Sequence, residues 1–442
     1  MKVLINNTIK TNDDIINDIN SLKQFKKNNE KVSFILPTRD NLEYLKSAYN
    51  SIRKNNWIEH EICIADDKSK DNTWEWLLEQ QKNDKNLKIW RNETDNRYGL
   101  TILYDFLINE ISTNELVIAC HADMYYGYNF VENLLKHHKD KTVVCATRIE
   151  PNIHPPGPEK LIRDYGLYPN SFTENLFLND CIQLQKQYKN KTTNGFFAPW
   201  LISKKDFLLV GGHDPLFRPQ SREDSDLGNR LVINEMNLIQ SRDSFVYHYT
   251  CRGSRFKDGI GKNSDEWQQS NYKNERNFIR KWGSMVAVDN NLMPLVKNKY
   301  KIRFVLDCRD EIDSVTFSEL LRISEPYFEE IVIYDPDKIY RNTVDNYIKN
   351  ENKITDFDIK KKFKYNPKEL VKMDIELSTQ PEIVSKDNGR LIQMIHQVLD
   401  QITEIGKYDY NGNKIIVNRI NRKYYLIHAK NNISYKLYMK EI

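Results

Sequence analysis

A chain of 442 residues is too long for one ordinary hydrophobic core and calls for at least two domains. Its 39% hydrophobic and 29% charged residues mark a globular protein and exclude a disordered one. A net charge of +4, from 66 basic and 62 acidic residues, excludes wholesale phosphate neutralisation as its purpose, while a local basic groove stays open.

Residues 1–30 read as an appended leader, with helical spacing between Asp14 and Phe25. They are polar and lack a signal peptide's apolar core. Residues 32–36 form an apolar strand run stopped by Pro37, and Leu42, Leu45, Ala48, Tyr49 and Ile52 have helical spacing. A second strand at 61–65 ends at Asp66-Asp67, and a helix at 73–80 follows an Asp71 or Asn72 cap. Strand 88–90, a helix over 101–111 and strand 115–120 continue the alternation, which predicts an α/β fold with a doubly wound sheet. Ligands bind such sheets beyond the carboxyl ends of the strands. There stand Thr38-Arg39-Asp40, Asp66-Asp67 and His121-Ala122-Asp123.

After strand 143–147, the proline-rich loop 150–158 can be neither helix nor central strand and reads as a wall or lid. Beyond 290, strands at 301–306 and 330–334, helices near 316–323 and 391–405, and an Asn411-Gly412 hairpin signal predict an α+β module. Further strand runs follow at 423–428 and 435–439. The domain expectation is a helical leader at 1–30, an α/β domain at 31–290 and an accessory domain at 291–442. Lys360-Lys361-Lys362 reads as a solvated face. Cys63, Cys120, Cys145, Cys181, Cys251 and Cys308 form no CxxC pair, so a reduced, cytoplasmic protein without disulfides is expected. No stretch approaches the roughly 20 apolar residues that span a bilayer.

The order of these pieces resembles the family 2 glycosyltransferases over residues 31–282. The resemblance rests on Val32-Ser33-Phe34-Ile35-Leu36-Pro37-Thr38-Arg39-Asp40, the Asp66-Asp67-Lys68-Ser69-Lys70-Asp71-Asn72-Thr73 stretch and the Asn96-Arg97-Tyr98-Gly99 turn. His121-Ala122-Asp123 stands where that family has DxD. Gly211-Gly212-His213-Asp214, Arg222-Glu223-Asp224-Ser225-Asp226-Leu227 and Tyr247-His248 follow in order. The resemblance implies a GT-A doubly wound mixed sheet, Rossmann-like. It also implies inverting sugar transfer from a nucleotide-sugar to the hydroxyl of a glycan or other acceptor.

The chemistry explains the residue types. Expelling a nucleoside diphosphate calls for a cation, Mn²⁺ or Mg²⁺, and the attacking hydroxyl needs a base. By resemblance Asp123 and His248 hold the metal, and Asp224 is the base with Glu223 or Asp226 as alternates. Pro37, Thr38, Arg39, Asp66, Asp67, Arg97, His121 and Ala122 would line the donor site, and Arg252 and Arg255 would clamp the diphosphate. Uracil, whose N–H can face a carboxylate, is the expected base, making UDP-sugar the expected donor. His121 departs from the family by replacing the first acid of DxD, which leaves its role open between donor handling and merely ending a strand.

Two other readings stay open: transfer to hydroxymethylated bases in DNA, served by Arg252, Arg255, Lys257 and Lys262, and a non-catalytic sugar-binding module. The intact acids oppose the second. His213 and Trp200 are expected to pack, Trp267 to stack on a sugar, and Trp282 to close the first domain.

Overall fold

The computed structural model describes residues 3–5, 8–10, 30–253, 255–257, 259–309 and 312–419. The helix expected at 14–25 and the strands expected at 423–428 and 435–439 lie outside them. The chain forms two compact units. One holds the described residues up to Gln269 together with Val288–Pro294, and the other holds Ser270–Ala287 and the described residues from Leu295.

In the first unit β1 (Val3–Ile5) and β2 (Thr8–Lys10) pair antiparallel. The main sheet starts with β3 (Val32–Thr38), followed by α1 (Leu42–Asn55), β4 (His60–Asp66), α2 (Thr73–Asn83), β5 (Leu87–Arg91), α3 (Gly99–Phe106) and β6 (Leu116–Ala119). These four strands run parallel in the order β6-β3-β4-β5. Then come β7 (Met124–Tyr126), α4 (Phe130–Leu135), β8 (Thr142–Glu150), β9 (Lys160–Ile162), α5 (Glu174–Gln187), β10 (Thr192–Asn194) and β11 (Trp200–Ser203). Helices α6 (Lys204–Leu209) and α7 (Glu223–Ile233), strand β12 (Asn237–His248) and helix α8 (Asp265–Trp282) follow.

The sheet order is β10-β12-β8-β11-β6-β3-β4-β5, with β7 on β12 and β9 on β8. Strand β11 runs antiparallel to both β6 and β8, which makes the sheet mixed. Both faces are covered, so β3 is buried along its whole length and is mostly apolar, with Ser33 and Thr38 as its polar members. Phe34 and Leu36 pack into one core with Ile62 and Ile64. Ile35 packs into the opposite core with Cys63 and Ala65, as the two-residue period of a strand requires. Strands β4 and β6 leave β3 on opposite sides, so a crevice opens at the carboxyl ends of these strands.

The second unit contains β13 (Ile302–Asp307), α9 (Ser314–Ser324), β14 (Glu330–Tyr334), α10 (Arg341–Glu351), β15 (Phe363–Tyr365) and β16 (Ile375–Thr379). Helices α11 (Pro381–Lys386) and α12 (Arg390–Gln401) and a hairpin of β17 (Gly406–Tyr410) and β18 (Asn413–Val417) complete it. The order is β15-β14-β13-β16-β18-β17, parallel up to β16 and antiparallel in the hairpin. Asn411 and Gly412 turn that hairpin with φ of 52° and 83°, the left-handed pair that an Asn-Gly turn supplies.

Several charges are buried here in combination. Arg276 and Arg280 of α8 pair with Glu325 and Glu351. Lys362 lies 2.8 Å from Glu325, so the lysine run is not wholly a solvated face; only Lys360 and Lys361 are exposed. Asp313 caps α9 and Asp307 pairs with Arg309, which gives those acids structural partners.

Candidate active site

A cavity of about 380 Å³ opens at the carboxyl ends of β3, β4 and β6, within the range of small-molecule sites. Pro37 and Thr38 line it from β3, Arg39 and Asp67 from the residues just after β3 and β4, and His121, Ala122 and Asp123 from the turn after β6. Of the other expected residues, Arg97, Glu223, Asp224, His248 and Arg255 also line it, joined by Tyr104, Lys257, Glu266 and Trp267.

Two expected residues do not line it. Asp66 is fully buried, accepts a 2.9 Å hydrogen bond from the Ser69 N–H and lies 3.4 Å from Arg91. It holds the turn after β4 from behind. Arg252 is buried with its guanidinium over the Tyr168 ring, and its backbone N–H donates to Asp123 Oδ2 at 2.8 Å. Arg252 therefore fixes Asp123 and is not part of the cavity lining.

Asp67 accepts from Asn92 Nδ2 at 2.8 Å and from the N–H groups of Tyr98 and Gly99 at 3.1 and 2.9 Å. This clasps the glycine turn to the sheet. Gly99 has φ of 77°, and a Cβ there would lie 2.3 Å from the Pro219 backbone. The Leu100 N–H donates to Pro219 O at 2.7 Å, so the turn also abuts the segment leading to Glu223.

Asp123, His121 and His248 offer ligand atoms that all lie within 4.8 Å of one another. His248 Nε2 is 3.5 Å from Asp123 Oδ1, and its Nδ1 is 2.7 Å from Glu150 Oε1. Burial alone would raise the Asp123 carboxyl, but the charge and hydrogen bond of His248 hold it well below the usual range. Burial opposes a charge on His248, yet Asp123 and Glu150 push it up to about 9. His121 is pushed down to about 4, mainly by burial. Glu150 escapes sequence reasoning. Strand β8 runs parallel to β12 with Ile149 opposite Tyr247, and that register alone brings the acid beside His248.

The acid pair sits at the start of α7, after Ser221 and Arg222 with φ of 83° and 71°. Asp224 is exposed, and its Oδ1 accepts from the Ser225 N–H at 2.6 Å. Glu223 Oε2 is shut off from solvent and unpaired, and burial and the neighbouring Asp224 charge push this carboxyl up to about 8. Asp226 is fully buried against Arg230 and does not line the cavity.

Arg255 stacks over Trp267 at 4.3 Å, and Arg97 pairs with Glu266. The proline-rich loop does not line the cavity. Its His154 stacks on Phe256 at 5.7 Å and so braces the wall that carries Arg255. His213 and Trp200 are buried, with His213 Nδ1 2.7 Å from Asp105.

Residues 33–206 match the sequence model described as Glycosyl transferase family 2. This segment belongs to that family. The family 2 segment carries Asp66, Asp67, Asp123 and Glu150, whereas Glu223, Asp224 and His248 follow it. No curated protein matches the chain. Solved structures similar to it include GalNAc-T7 with UDP, GalNAc and Mn²⁺, at 16% identity over 58% of this chain and 49% of that one, with a TM-score of 0.43. S. aureus TarS 1-349 with UDP is 16% identical over 49% and 60% of the two chains, TM-score 0.35. The mannosyltransferase PcManGT from Pyrobaculum calidifontis with GDP-Man and Mn²⁺ is 13% identical over 59% and 68%, TM-score 0.38. The chain spans about half the length of the GalNAc-T7 chain. Among the described residues no helix is long and apolar enough to cross a membrane. All six cysteines are free.

Proposed function

We propose that the chain is an inverting glycosyltransferase that moves a sugar from a UDP-sugar to a hydroxyl of a glycan acceptor. The observation that carries this reading is one cavity holding both a cation-binding cluster, Asp123 with His248, and a carboxylate pair, Glu223-Asp224. A divalent cation, Mn²⁺ or Mg²⁺, held by Asp123 and His248 would neutralise the charge that develops on the departing diphosphate. Glu150 aligns the His248 ring for that task.

Asp224, an exposed acid on the cavity wall, takes the acceptor proton. The acceptor oxygen bonds to the anomeric carbon as the bond to the diphosphate breaks, a single displacement that inverts configuration. Glu223 carries its proton near neutral pH and can donate a hydrogen bond to a sugar oxygen. Arg255 and Lys257 supply positive charge for the diphosphate, while Thr38, Arg39, Asp67 and Arg97 form the nucleoside wall.

The test is a UDP titration with and without Mn²⁺, paired with a UDP-sugar hydrolysis assay. A ligand at 100 times its Kd stabilises the folded state by about 2.7 kcal/mol, which thermal melting resolves. Mn²⁺-enhanced UDP binding that is lost in Asp123→Ala is expected. Equal binding with and without metal would remove the cation from the mechanism.

A further inference from the structure

We propose that His121 is a third ligand of the cation site, giving two imidazoles and one carboxylate, and that this set takes Mn²⁺ in preference to Mg²⁺. The inference rests on the metal-dependent reading above and deepens it. Three observations carry it. The His121, Asp123 and His248 ligand atoms lie within 4.8 Å of one another, roughly twice the 2.0–2.2 Å of a metal bond to nitrogen or carboxylate oxygen. The His121 and His248 rings are tilted by 58° with centroids 5.8 Å apart, so both can present an edge to one ion. Neither ring nitrogen of His121 has a hydrogen-bond partner among the described residues, whereas His248 and His213 are both held by carboxylates.

An imidazole that merely ended the strand would leave a polar nitrogen without function in a cavity wall. As a ligand it completes a cluster. Mg²⁺ demands oxygen donors in near-ideal octahedral geometry and gives up water reluctantly. Affinity for nitrogen donors instead rises along the first-row divalent series that Mn²⁺ begins. A single carboxylate also offers a hard cation less charge than an acid pair would.

The experiment measures Mn²⁺ binding to the full chain, with and without UDP, by electron paramagnetic resonance, with spin-echo modulation reporting ¹⁴N ligands. Wild type should show two nitrogen couplings. His121→Ala should lose one and weaken Mn²⁺ at least as much as the roughly 10–100-fold typical of second-shell losses. His121→Asp should make Mg²⁺ displace Mn²⁺ at a concentration about tenfold lower than in wild type, since oxygen donors suit Mg²⁺. Unchanged nitrogen coupling in His121→Ala, or Mg²⁺ competing equally against wild type and His121→Asp, overturns the third ligand and leaves the metal-dependent reading standing. A wild type that binds no Mn²⁺ even with UDP overturns both.

Discussion

Asp224 and Glu223 are adjacent on one helical turn, yet their surroundings differ, as the proposed division of roles requires. Asp224 is exposed, while Glu223 is held near a pKa of about 8 by burial and its neighbour's charge. Asp224→Asn should therefore reduce transfer by the roughly 10²–10⁴-fold that a general base supplies, with UDP affinity nearly unchanged. Full activity in that variant would move the proton to Glu223. Glu223 also gives a stability signature. Its folded pKa of about 8 exceeds the ordinary 4.5, so the wild type loses stability as pH rises from about 4.5 to about 8. Glu223→Gln cannot ionise, and the Tm of the variant minus that of wild type should grow by a few degrees across this window and level off above it. A difference that stays flat with pH would mean the carboxyl titrates normally. Much of this site is legible in residue type and order, because acids after apolar strands need a use. Glu150 is not, because its pairing with His248 arises from a strand register. Asp226 is the reverse case. It reads as an alternate base, yet Arg230, four residues on, takes it as an ordinary helical pair.

Among elements, the turn from Asn96 to α3 does more than connect β5 to a helix. Asp67 grips it from the sheet side and Pro219 closes on it from the segment before α7. Gly99→Ala would combine a left-handed backbone with a contact of 2.3 Å to that backbone. The variant should lose about 2 kcal/mol or more of stability, with weaker UDP binding, measured by thermal melting and titration. An unchanged Tm would mean that the two walls yield easily. Strands β3, β4 and β6 are readable because they are buried almost throughout, and α1 because it carries a clear stripe of Leu45, Ala48 and Ile52. The three-residue strands β7, β9 and β10 are too short to show a period, and only their pairing on β12 and β8 makes them strands.

At the scale of the molecule, helix α8 belongs to both units. Glu266 and Trp267 line the cavity, while the helix from Ser270 onward, including Trp282, belongs to the second unit. Trp282 thus does not close the first unit, as its position suggests it should. A chain ended at Asn290 would strip Arg276 and Arg280 of Glu325 and Glu351 and leave Phe278 and Ile279 without their covering. Breaking a buried ion pair costs about 3–5 kcal/mol, a large share of the roughly 5–15 kcal/mol that holds a domain together. That shortened chain is expected to be insoluble or unfolded by circular dichroism. A soluble, folded product with wild-type UDP affinity would show that the first unit stands without these partners. The return of the chain to the first unit has no sequence signal. Residues Val288–Pro294 come back to that unit, where Pro294 packs on Gly228 and Asn291 on Gly195. This return sets a clock during synthesis. Domains ordinarily fold in turn as they leave the ribosome. Here, among the described residues, the cavity-bearing unit receives its last piece only after translation has passed Pro294, when the first residues of the second unit are already made.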